Sequence, residues 1–261
     1  SVPPGSYDYG STAVGDFDGD DIPDIALAMH GIGLMVLKGV GNGVYEVGSN
    51  GILEPEDFVS RAVTVLDFDE DGVDDLAAVS EAPFRKSFPL PSGVRICSST
   101  PKGWTCRKID TPDGAKLVYA DGIYVGDLNG DGHSDLVISI LLDWKQRVVW
   151  LGDGDGGFAA FNEGLPEGVI YAAAGLGDVN GDLKDDFIAF TAASGSAGAV
   201  GIRCFVYEET GFREISEGLP KGEPFTALGV VDLIGDGTCE VGAGSGNGRL
   251  SIFRLNEGKW V

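Results

Sequence analysis

The sequence predicts an all-β protein built from five copies of one unit, and three observations carry this prediction. First, a nine-residue acidic motif begins at Asp16, Asp67, Asp127, Asp178 and Asp232, so that successive copies are 51, 60, 51 and 54 residues apart. A nearly fixed period of this length is typical of a supersecondary unit repeated along the chain. Second, short apolar runs flank every copy of the motif. Third, glycine contributes 42 of the 261 residues, about twice its usual share of ~7%, which suits many short strands and tight turns.

Each unit has the pattern of four short strands. In the first unit the motif follows STAVGDF and precedes DIALAM, and GLMVLKG and the more polar VYEVGS come next. Runs of β-branched and aromatic residues bounded by Gly, Asp and Pro are typical of strands, and no segment sustains a helical period. Four short antiparallel strands in about 50 residues make one propeller blade.

The two ends of the chain indicate how many blades there are. The last unit stops at Lys259-Trp260-Val261, where its fourth strand begins, and the chain opens with Ser1-Val2-Pro3-Pro4-Gly5. Joined head to tail, these segments resemble the junctions AFNEGLPEG and EISEGLPKG between units. The sequence therefore predicts a single closed five-bladed β-propeller over residues 1–261, with the termini meeting in one blade, which would leave no open sheet edge. The alternative is an open fragment of a six- or seven-bladed ring, and the circular phase of the repeats counts against it.

The acidic motif predicts metal sites in four loops, residues 16–24, 67–75, 127–135 and 178–186. Side-chain oxygens stand at loop positions 1, 3, 5 and 9, and position 7 can supply its backbone carbonyl. The predicted ligands are Asp16, Asp18, Asp20, Ile22 and Asp24; Asp67, Asp69, Asp71, Val73 and Asp75; Asp127, Asn129, Asp131, His133 and Asp135; and Asp178, Asn180, Asp182, Lys184 and Asp186. Sites made only of oxygen, with three or four carboxylates, suit Ca²⁺, whereas Zn²⁺ prefers Cys and His and Mg²⁺ keeps its waters.

The fifth loop, residues 232–240, departs from the pattern. Ile234 occupies position 3, where an oxygen is needed, and Glu240 replaces the aspartate of position 9. We therefore expect this site to be weak or empty, which leaves about four calcium sites in the chain.

The same loops admit two alternatives to calcium-binding blades. An EF-hand needs a bidentate Glu at position 12 and a helix on each side, whereas position 12 of the complete loops is Leu27, Ala78, Ile138 or Ala189. These apolar strand residues exclude an EF-hand. The second alternative is a set of acidic turns that bind only water, and four matching loops in phase with the strands count against it.

The motif D-x-[DN]-x-D-x-x-x-D between two strands resembles the FG-GAP and VCBS-type repeats, the calcium-loop blades also found in integrin α-subunit propellers. The resemblance covers essentially the whole chain. It implies an exported or surface-exposed protein that serves in adhesion, in carbohydrate or protein binding, or as an accessory domain of a larger enzyme. Integrin-like members have seven blades, so five blades would be a departure.

Charge and composition exclude two classes of partner. The net charge is −23, from 41 acidic and 18 basic residues, which disfavours nucleic acid because phosphate groups would be repelled. No run approaches the ~20 apolar residues of a membrane span. The opening SVPPGSYDYG has neither the basic nor the apolar part of a signal peptide, as a mature exported chain would not. We expect an extracellular or cell-surface location, because permanent structural calcium sites need the higher calcium of that compartment.

The four cysteines divide into two pairs. Cys97 and Cys106 flank the predicted hairpin RICSSTPKGWTC, and a two-residue turn at Pro101-Lys102 would place them opposite each other at the separation that a disulfide needs. A disulfide and two free thiols both remain open for this pair. Cys204 and Cys239 lie in different units, and we expect two buried thiols.

A partner is expected on the face opposite the calcium loops. The candidate surface residues are the inserted Phe84, Arg85, Lys86 and Phe88; the turn residues Asp143, Trp144 and Lys145; and the near-axial aromatics Tyr9, Tyr171 and Phe225. Aromatic side chains with a few charges suit a carbohydrate or protein ligand. The alternatives are that the axial aromatics only plug the channel and that the insertion is a solvated loop.

No catalytic constellation is visible in the sequence. His30 and His133 are the only histidines, and neither stands in a nucleophile motif. The leading hypothesis is therefore a non-enzymatic, calcium-stabilised binding or adhesion module. The alternatives are a propeller domain of an extracellular enzyme, such as a polysaccharide lyase, and a purely structural surface protein.

Overall fold

The computed structural model describes residues 10–30, 32–52, 58–80, 93–100, 102–109, 120–140, 148–193, 201–223 and 225–261. Contacts divide the chain into two compact units, Ser1–Ile123 and Tyr124–Val261. Every regular element within the described ranges is a β-strand, and those ranges contain no helix able to cross a membrane.

The first unit contains two four-stranded antiparallel sheets. The first sheet is formed in chain order by β1 (Gly10–Gly15), β2 (Asp24–Met29), β3 (Gly33–Gly39) and β4 (Tyr45–Val47). The second is formed in the same order by β5 (Ala62–Leu66), β6 (Asp75–Ser80), β7 (Gly93–Thr100) and β8 (Gly103–Lys108). In each sheet the acidic loop joins the first strand to the second, as predicted.

The second unit repeats this arrangement, and its boundary with the first falls inside β9 (Ala120–Gly126). One sheet has the order β12-β11-β10-β9, with β10 (Asp135–Ile140), β11 (Val149–Gly152) and β12 (Phe158–Ala160). The next consists of β13 (Val169–Gly177), β14 (Asp186–Ala193), β15 (Gly201–Glu208) and β16 (Gly211–Glu214). The last has β17 (Phe225–Val231), β18 (Glu240–Ser245) and β19 (Leu250–Phe253), followed by the hairpin β20 (Leu255–Asn256) and β21 (Lys259–Trp260).

The last sheet differs from the other four at Arg254. This residue interrupts the third strand between β19 and β20, and Arg254 and Val261 each donate their N–H to the carbonyl of the other at 3.0 Å. The fourth-strand segment predicted from Lys259 thus pairs with β20 rather than with β19. The repeated all-β architecture is confirmed, whereas residues 1–9 lie outside the described ranges and closure of the ring stays a prediction.

Neighbouring sheets of one unit are tied together at their outer strands. The N–H of Phe212 donates to the carbonyl of Glu163 at 2.8 Å, and the N–H of Trp260 donates to that of Glu217 at 2.8 Å. The two acceptor residues, Glu163 and Glu217, are each followed by a glycine with positive φ. A Cβ on Gly218 would lie 2.2 Å from the carbonyl oxygen of Trp260, so the repeated EGLP junctions keep glycine because the backbone of the next sheet passes too close.

Aromatic side chains fill the space between sheets. In the first unit the rings of Phe17 and Trp104 meet edge to face at 5.5 Å, and the indole N–H of Trp104 donates to the carbonyl of Gly48 at 2.9 Å. Such a pair combines a large buried apolar area with a satisfied polar group. The indole of Trp260 makes the equivalent bond to Ile215 at 2.8 Å in the second unit.

The structure decides the cysteine pair left open by the sequence and confirms one of the two expected buried thiols. Cys97 and Cys106 lie directly opposite in the β7–β8 ladder and form a disulfide, which decides between the two alternatives for this pair. Cys204 is a buried free thiol, whereas Cys239 is only partly buried.

Candidate metal centres

All five acidic loops share one backbone arrangement, organised by the carboxylate at position 1. In the first loop, Asp16 accepts hydrogen bonds from the N–H groups of Gly19 at 2.9 Å, Asp20 at 3.1 Å and Asp21 at 2.8 Å. Asp67, Asp127, Asp178 and Asp232 accept bonds from the same part of their loops. The fifth loop is thus folded like the others despite its altered sequence.

The tight turn requires left-handed backbone at loop positions 4 and 6. Glycine fills most of these positions, but Asp21 at φ 62°, Glu70 at φ 56° and Leu183 at φ 68° do not have that freedom. A left-handed conformation costs a residue with a Cβ about 1–2 kcal/mol. Leu183 is also 89% exposed, so no packing of its side chain offsets the strain.

The structure brings three carboxylates together in each of the first two loops. Oxygens of Asp16, Asp18 and Asp24 lie within 4.8 Å of one another in the first loop. The same holds for a second cluster, formed by Asp67, Asp69 and Asp71. These groups include predicted ligands from positions 1, 3, 5 and 9, although Asp20 and Asp75 fall outside the clusters.

The third and fourth loops carry asparagine at position 3 and therefore have fewer carboxylates. The amide nitrogen of Asn129 donates to Asp131 at 2.7 Å, and that of Asn180 donates to Asp182 at 3.1 Å. These contacts bring positions 3 and 5 of each loop together. At position 7, the N–H groups of Ile22, Val73, His133 and Lys184 donate to the position-5 carboxylate of their loop.

The carboxylate at position 9 is buried and fixes the loop to the sheet. Asp24 accepts the N–H of Phe17 at 3.0 Å through one oxygen and that of Gly39, on the third strand, at 2.7 Å through the other. Asp135 makes the equivalent bonds to Leu128 and Gly152, both at 2.8 Å. The sequence predicted this residue only as a metal ligand, and the structure adds that it connects loop and strands.

Burial changes the acidity of these position-9 groups. It raises the pKa of Asp75 to about 7, that of Asp186 to about 7 and that of Asp135 to about 6, and the neighbouring loop carboxylates act in the same direction. The pKa of Asp24 is raised for the same reasons. A nearby cation would reverse this effect because it favours the charged carboxylate.

Among the complete loops, two of the buried position-9 residues have an oxygen without a hydrogen-bond partner in the described part of the chain, Oδ2 of Asp75 and Oδ1 of Asp186, and Oε1 of Glu240 in the fifth loop is a third such oxygen. An unpaired buried carboxylate oxygen is costly unless a cation or donor satisfies it. The donor sets of the complete loops therefore fit a hard divalent cation such as Ca²⁺, which is bound by carboxylate and carbonyl oxygens.

Position 8 connects one loop to the next, a role that the sequence reasoning missed. The N–H of Asp74 donates to the carbonyl of Asp16 at 3.2 Å, and the Asp74 carboxylate accepts the N–H of Asp16 at 2.8 Å. Gly15 lies beside this contact, since an added Cβ would be 2.7 Å from the Asp74 carboxylate. The available signal was the extra aspartate at position 8, found in only the second and fourth loops.

A basic side chain reaches the carboxylates of the fifth loop. The guanidinium of Arg254 contacts Oδ2 of Asp236, and its Nε lies 3.7 Å from Oε1 of Glu240. Ile234 at position 3 is exposed and offers no oxygen. Arg254 was missed because it lies 14 residues after Glu240 and faces it only through strand pairing.

The predicted partner surface is only partly described. Tyr9, Phe84, Arg85, Lys86, Phe88, Asp143, Trp144 and Lys145 lie outside the described residues. Tyr171 is buried and packs against Phe187, with ring centroids 5.5 Å apart. Phe225 is buried against Phe190, with centroids 6.4 Å apart. These two aromatics are therefore packing residues and offer no open platform for a ligand.

Comparison with known proteins supports the fold class. No protein-family model matches the chain, and no curated protein matches it by sequence. The fold is similar to that in the crystal structure of the exotype rhamnogalacturonan lyase YesX, with a TM-score of 0.53 and 16% identity over 96% of this chain and 48% of that one. BBS1N in complex with ARL6DN gives a TM-score of 0.30 at 14% identity, over 96% and 93% of the two chains, too low to support an argument.

The chain thus spans about half the length of the lyase chain. At this identity the likeness concerns the fold, an all-β arrangement of repeated four-stranded sheets of propeller-like type. The resemblance of the loop motif to FG-GAP and VCBS-type repeats stays a prediction from the sequence.

Proposed function

We propose that this chain is a calcium-stabilised β-propeller that serves as an extracellular binding or adhesion module. The observation that carries the proposal is the convergence of Asp16, Asp18 and Asp24, and of Asp67, Asp69 and Asp71, to within 4.8 Å in two equivalent loops. Three carboxylates this close repel one another in the absence of a cation. A bound divalent ion would remove that repulsion and hold the loop between its two strands.

Calcium is the ion that this donor set favours. The candidate ligands of the four complete loops are all oxygens, and Ca²⁺ accepts six to eight oxygens in irregular geometry. Extracellular modules bind Ca²⁺ with dissociation constants of roughly 10⁻⁴–10⁻³ M. A site held at about 100 times its dissociation constant would add about 2.7 kcal/mol to the free energy of unfolding.

The proposal is tested by measuring metal content and melting on the same preparation. We expect about four calcium ions per chain after equilibrium dialysis, and a melting temperature that falls when excess EGTA is added and returns with calcium. Magnesium at the same concentration is the control and should restore little. A calcium-free chain whose melting is unaffected by EGTA would rule the proposal out.

The closed five-bladed ring belongs to the same proposal. It is supported by the five copies of the acidic motif at nearly regular spacing in the sequence and by the antiparallel sheets that repeat within each unit. Small-angle scattering tests it, because a compact chain of 261 residues has a radius of gyration of about 18 Å and an open arc a clearly larger one.

The partner is proposed to be a carbohydrate or a protein bound opposite the calcium loops. The reason is the sequence interval of 60 residues between the second and third motifs, the longest in the chain, whose excess forms EAPFRKSFPLPSG. Binding residues concentrate on such loops above a rigid scaffold. Screening the calcium-loaded protein on a glycan array would identify a ligand, and replacing Phe84, Arg85 and Phe88 by Ser should then abolish binding without changing calcium content. Normal binding by that variant would place the ligand elsewhere.

A second candidate function is a propeller domain of an extracellular polysaccharide lyase. It is kept because the fold is similar to that of YesX, with a TM-score of 0.53. Incubation with rhamnogalacturonan, read by the ultraviolet absorbance of an unsaturated product, separates the two candidates. Product formation would favour the lyase, whereas binding without turnover would favour the module.

A further inference from the structure

Two basic side chains reach an acidic loop from the same position in the strand ladder. Lys38 on β3 and Arg254, directly after β19, each lie one residue beyond the third-strand residue that pairs with position 10 of their loop. The pairs that define this register are Leu37 opposite Ile25 and Phe253 opposite Val241. At the corresponding position the other three sheets have Ser98, Leu151 and Val206, so only the first and fifth loops face a positive charge from this position.

Arg254 contacts carboxylates from two different positions of the fifth loop. Its guanidinium touches Asp236 at position 5 and lies 3.7 Å from Oε1 of Glu240 at position 9. That oxygen is buried and accepts no hydrogen bond within the described ranges, so the guanidinium provides its compensating charge. The backbone of Arg254 is fixed by the two hydrogen bonds to Val261, each 3.0 Å long.

The fifth loop has also lost what a divalent cation needs. Ile234 removes the oxygen of position 3 and is exposed, while Glu240 is one methylene longer than the aspartate found in the other loops. Yet the N–H groups of Gly235 and Gly237 still bond Asp232 at 2.6 Å and 2.9 Å. The loop keeps its conformation with fewer ligands, and a guanidinium is present where charge compensation is required.

The first loop provides the matched comparison. Lys38 contacts Asp18 and lies 3.8 Å from Asp20, but this loop keeps all four of its carboxylates. The ammonium of lysine is a strongly hydrated point charge on a flexible stem, whereas the planar guanidinium of arginine binds carboxylates through several donors. The same ladder position therefore carries a single ammonium in one loop and a planar guanidinium with several donors in the other.

We propose that Arg254 takes the place of the divalent cation in the fifth loop, so that this loop is held by a tethered side chain and needs no metal. The inference rests on the proposed function in that the other four loops bind calcium. It makes Arg254 a structural charge of the last sheet.

Counting bound calcium tests the proposal. The parent chain and Ile234→Asp should each bind four ions by equilibrium dialysis, because in both the guanidinium remains in the loop. The triple variant I234D/E240D/R254A restores four carboxylates without the arginine and should bind five. A fifth ion bound by Ile234→Asp alone, or only four bound by a folded triple variant, would overturn the proposal.

Melting provides a second reading that does not depend on the triple variant folding. Arg254→Met should lower the melting temperature by the same amount in calcium and in EGTA, and Arg254→Lys should recover part of the loss. A loss that calcium abolishes would show that the ion, and not the arginine, holds the loop. A parent chain that binds no calcium would refute the proposed function alone. The melting temperatures would still decide the role of the arginine, because Arg254→Met should lose more than Arg254→Lys if the positive charge holds the loop, and the two should lose equally if it does not.

Discussion

Asp127 and Asp185 join two neighbouring acidic loops through a reciprocal pair of hydrogen bonds. The N–H of Asp127 donates to the Asp185 carboxylate at 3.0 Å, and the N–H of Asp185 donates to the Asp127 carbonyl at 2.8 Å. Asp127 is also a predicted ligand at position 1, so whatever orders one loop also positions the next. Burial is the main cause that raises the pKa of Asp185, as expected for a carboxylate enclosed between two sheets.

Truncating this connection should destabilise the fold in calcium and in EGTA alike. Asp185→Ala leaves the N–H of Asp127 without its acceptor, which costs about 1–3 kcal/mol when the group is buried. Cys239→Ala is the control at the same loop position, because Cys239 contacts Asp178 only through its backbone N–H, at 2.7 Å. This variant should lower the free energy of unfolding by less than about 1 kcal/mol. Denaturant unfolding measures both, and equal losses would show that the Asp185 side chain has no special role.

Removing one predicted ligand should affect loops unequally. Asp69→Ala takes one carboxylate from a cluster of three and should abolish one calcium ion and its stabilisation of about 2.7 kcal/mol at 100-fold excess over the dissociation constant. Asp236→Ala in the fifth loop should leave the calcium count unchanged, because that loop already lacks an oxygen at position 3. Calorimetric titration and melting in calcium would distinguish the two variants, and a lost ion in Asp236→Ala would contradict the assignment.

Lowering the pH should stabilise the metal-free protein with respect to its buried carboxylates and weaken its binding of calcium. Burial raises the pKa of Asp75 from 3.8 to about 7 in the folded state, so the folded state holds this proton more tightly than the unfolded state. The metal-free protein should therefore be most stable at low pH with respect to this group, and should lose that stability as the pH rises from about 4 to about 7. Calcium needs the ionised carboxylate, so its affinity should fall as the pH drops below about 7.

Melting temperatures in EGTA and in calcium, measured between about pH 5 and 8 around the shifted pKa of Asp75, report the stability of the metal-free protein and the stabilisation by calcium. Asp75→Asn is the control, because it removes the titrating group and should flatten its share of the EGTA profile. A calcium effect of constant size across this range would contradict the prediction.

Relieving left-handed strain should stabilise the fourth loop. Leu183 has a φ of 68° and is 89% exposed. Leu183→Gly removes backbone strain of about 1–2 kcal/mol. It also gives the unfolded chain more conformational freedom, which opposes the gain by about 0.5–1 kcal/mol. We expect a net gain of roughly 0.5–1 kcal/mol. Gly132→Ala is the reverse control at position 6 of the third loop, where φ is 89° and an added Cβ meets no atom within 4 Å. It should destabilise through backbone strain alone, and a neutral result there would contradict the argument.

The position and type of nearly every described strand followed from local signals in the sequence. The acidic motif fixes where one strand ends and the next begins, and glycine at positions such as Gly132 and Gly237 permits the turn between them. The opposed placement of Cys97 and Cys106 followed for the same reason, since a two-residue turn sets the register of its own hairpin, and only the structure decided that they form a disulfide. Such features depend on residues close together in the chain, so the local sequence determined them.

Only the tertiary structure decided which distant residues meet. The contact of Arg254 with Asp236 spans 18 residues and that of Asp16 with Asp74 spans 58, and both depend on the register between strands or the spacing between sheets. Tyr171 was a candidate for ligand binding by sequence and is instead buried against Phe187. An aromatic residue near a strand end has the same local signal whether it faces solvent or a neighbouring sheet. The packing of sheets within each unit decides between the two, because burial is a property of the assembled sheets and not of the segment.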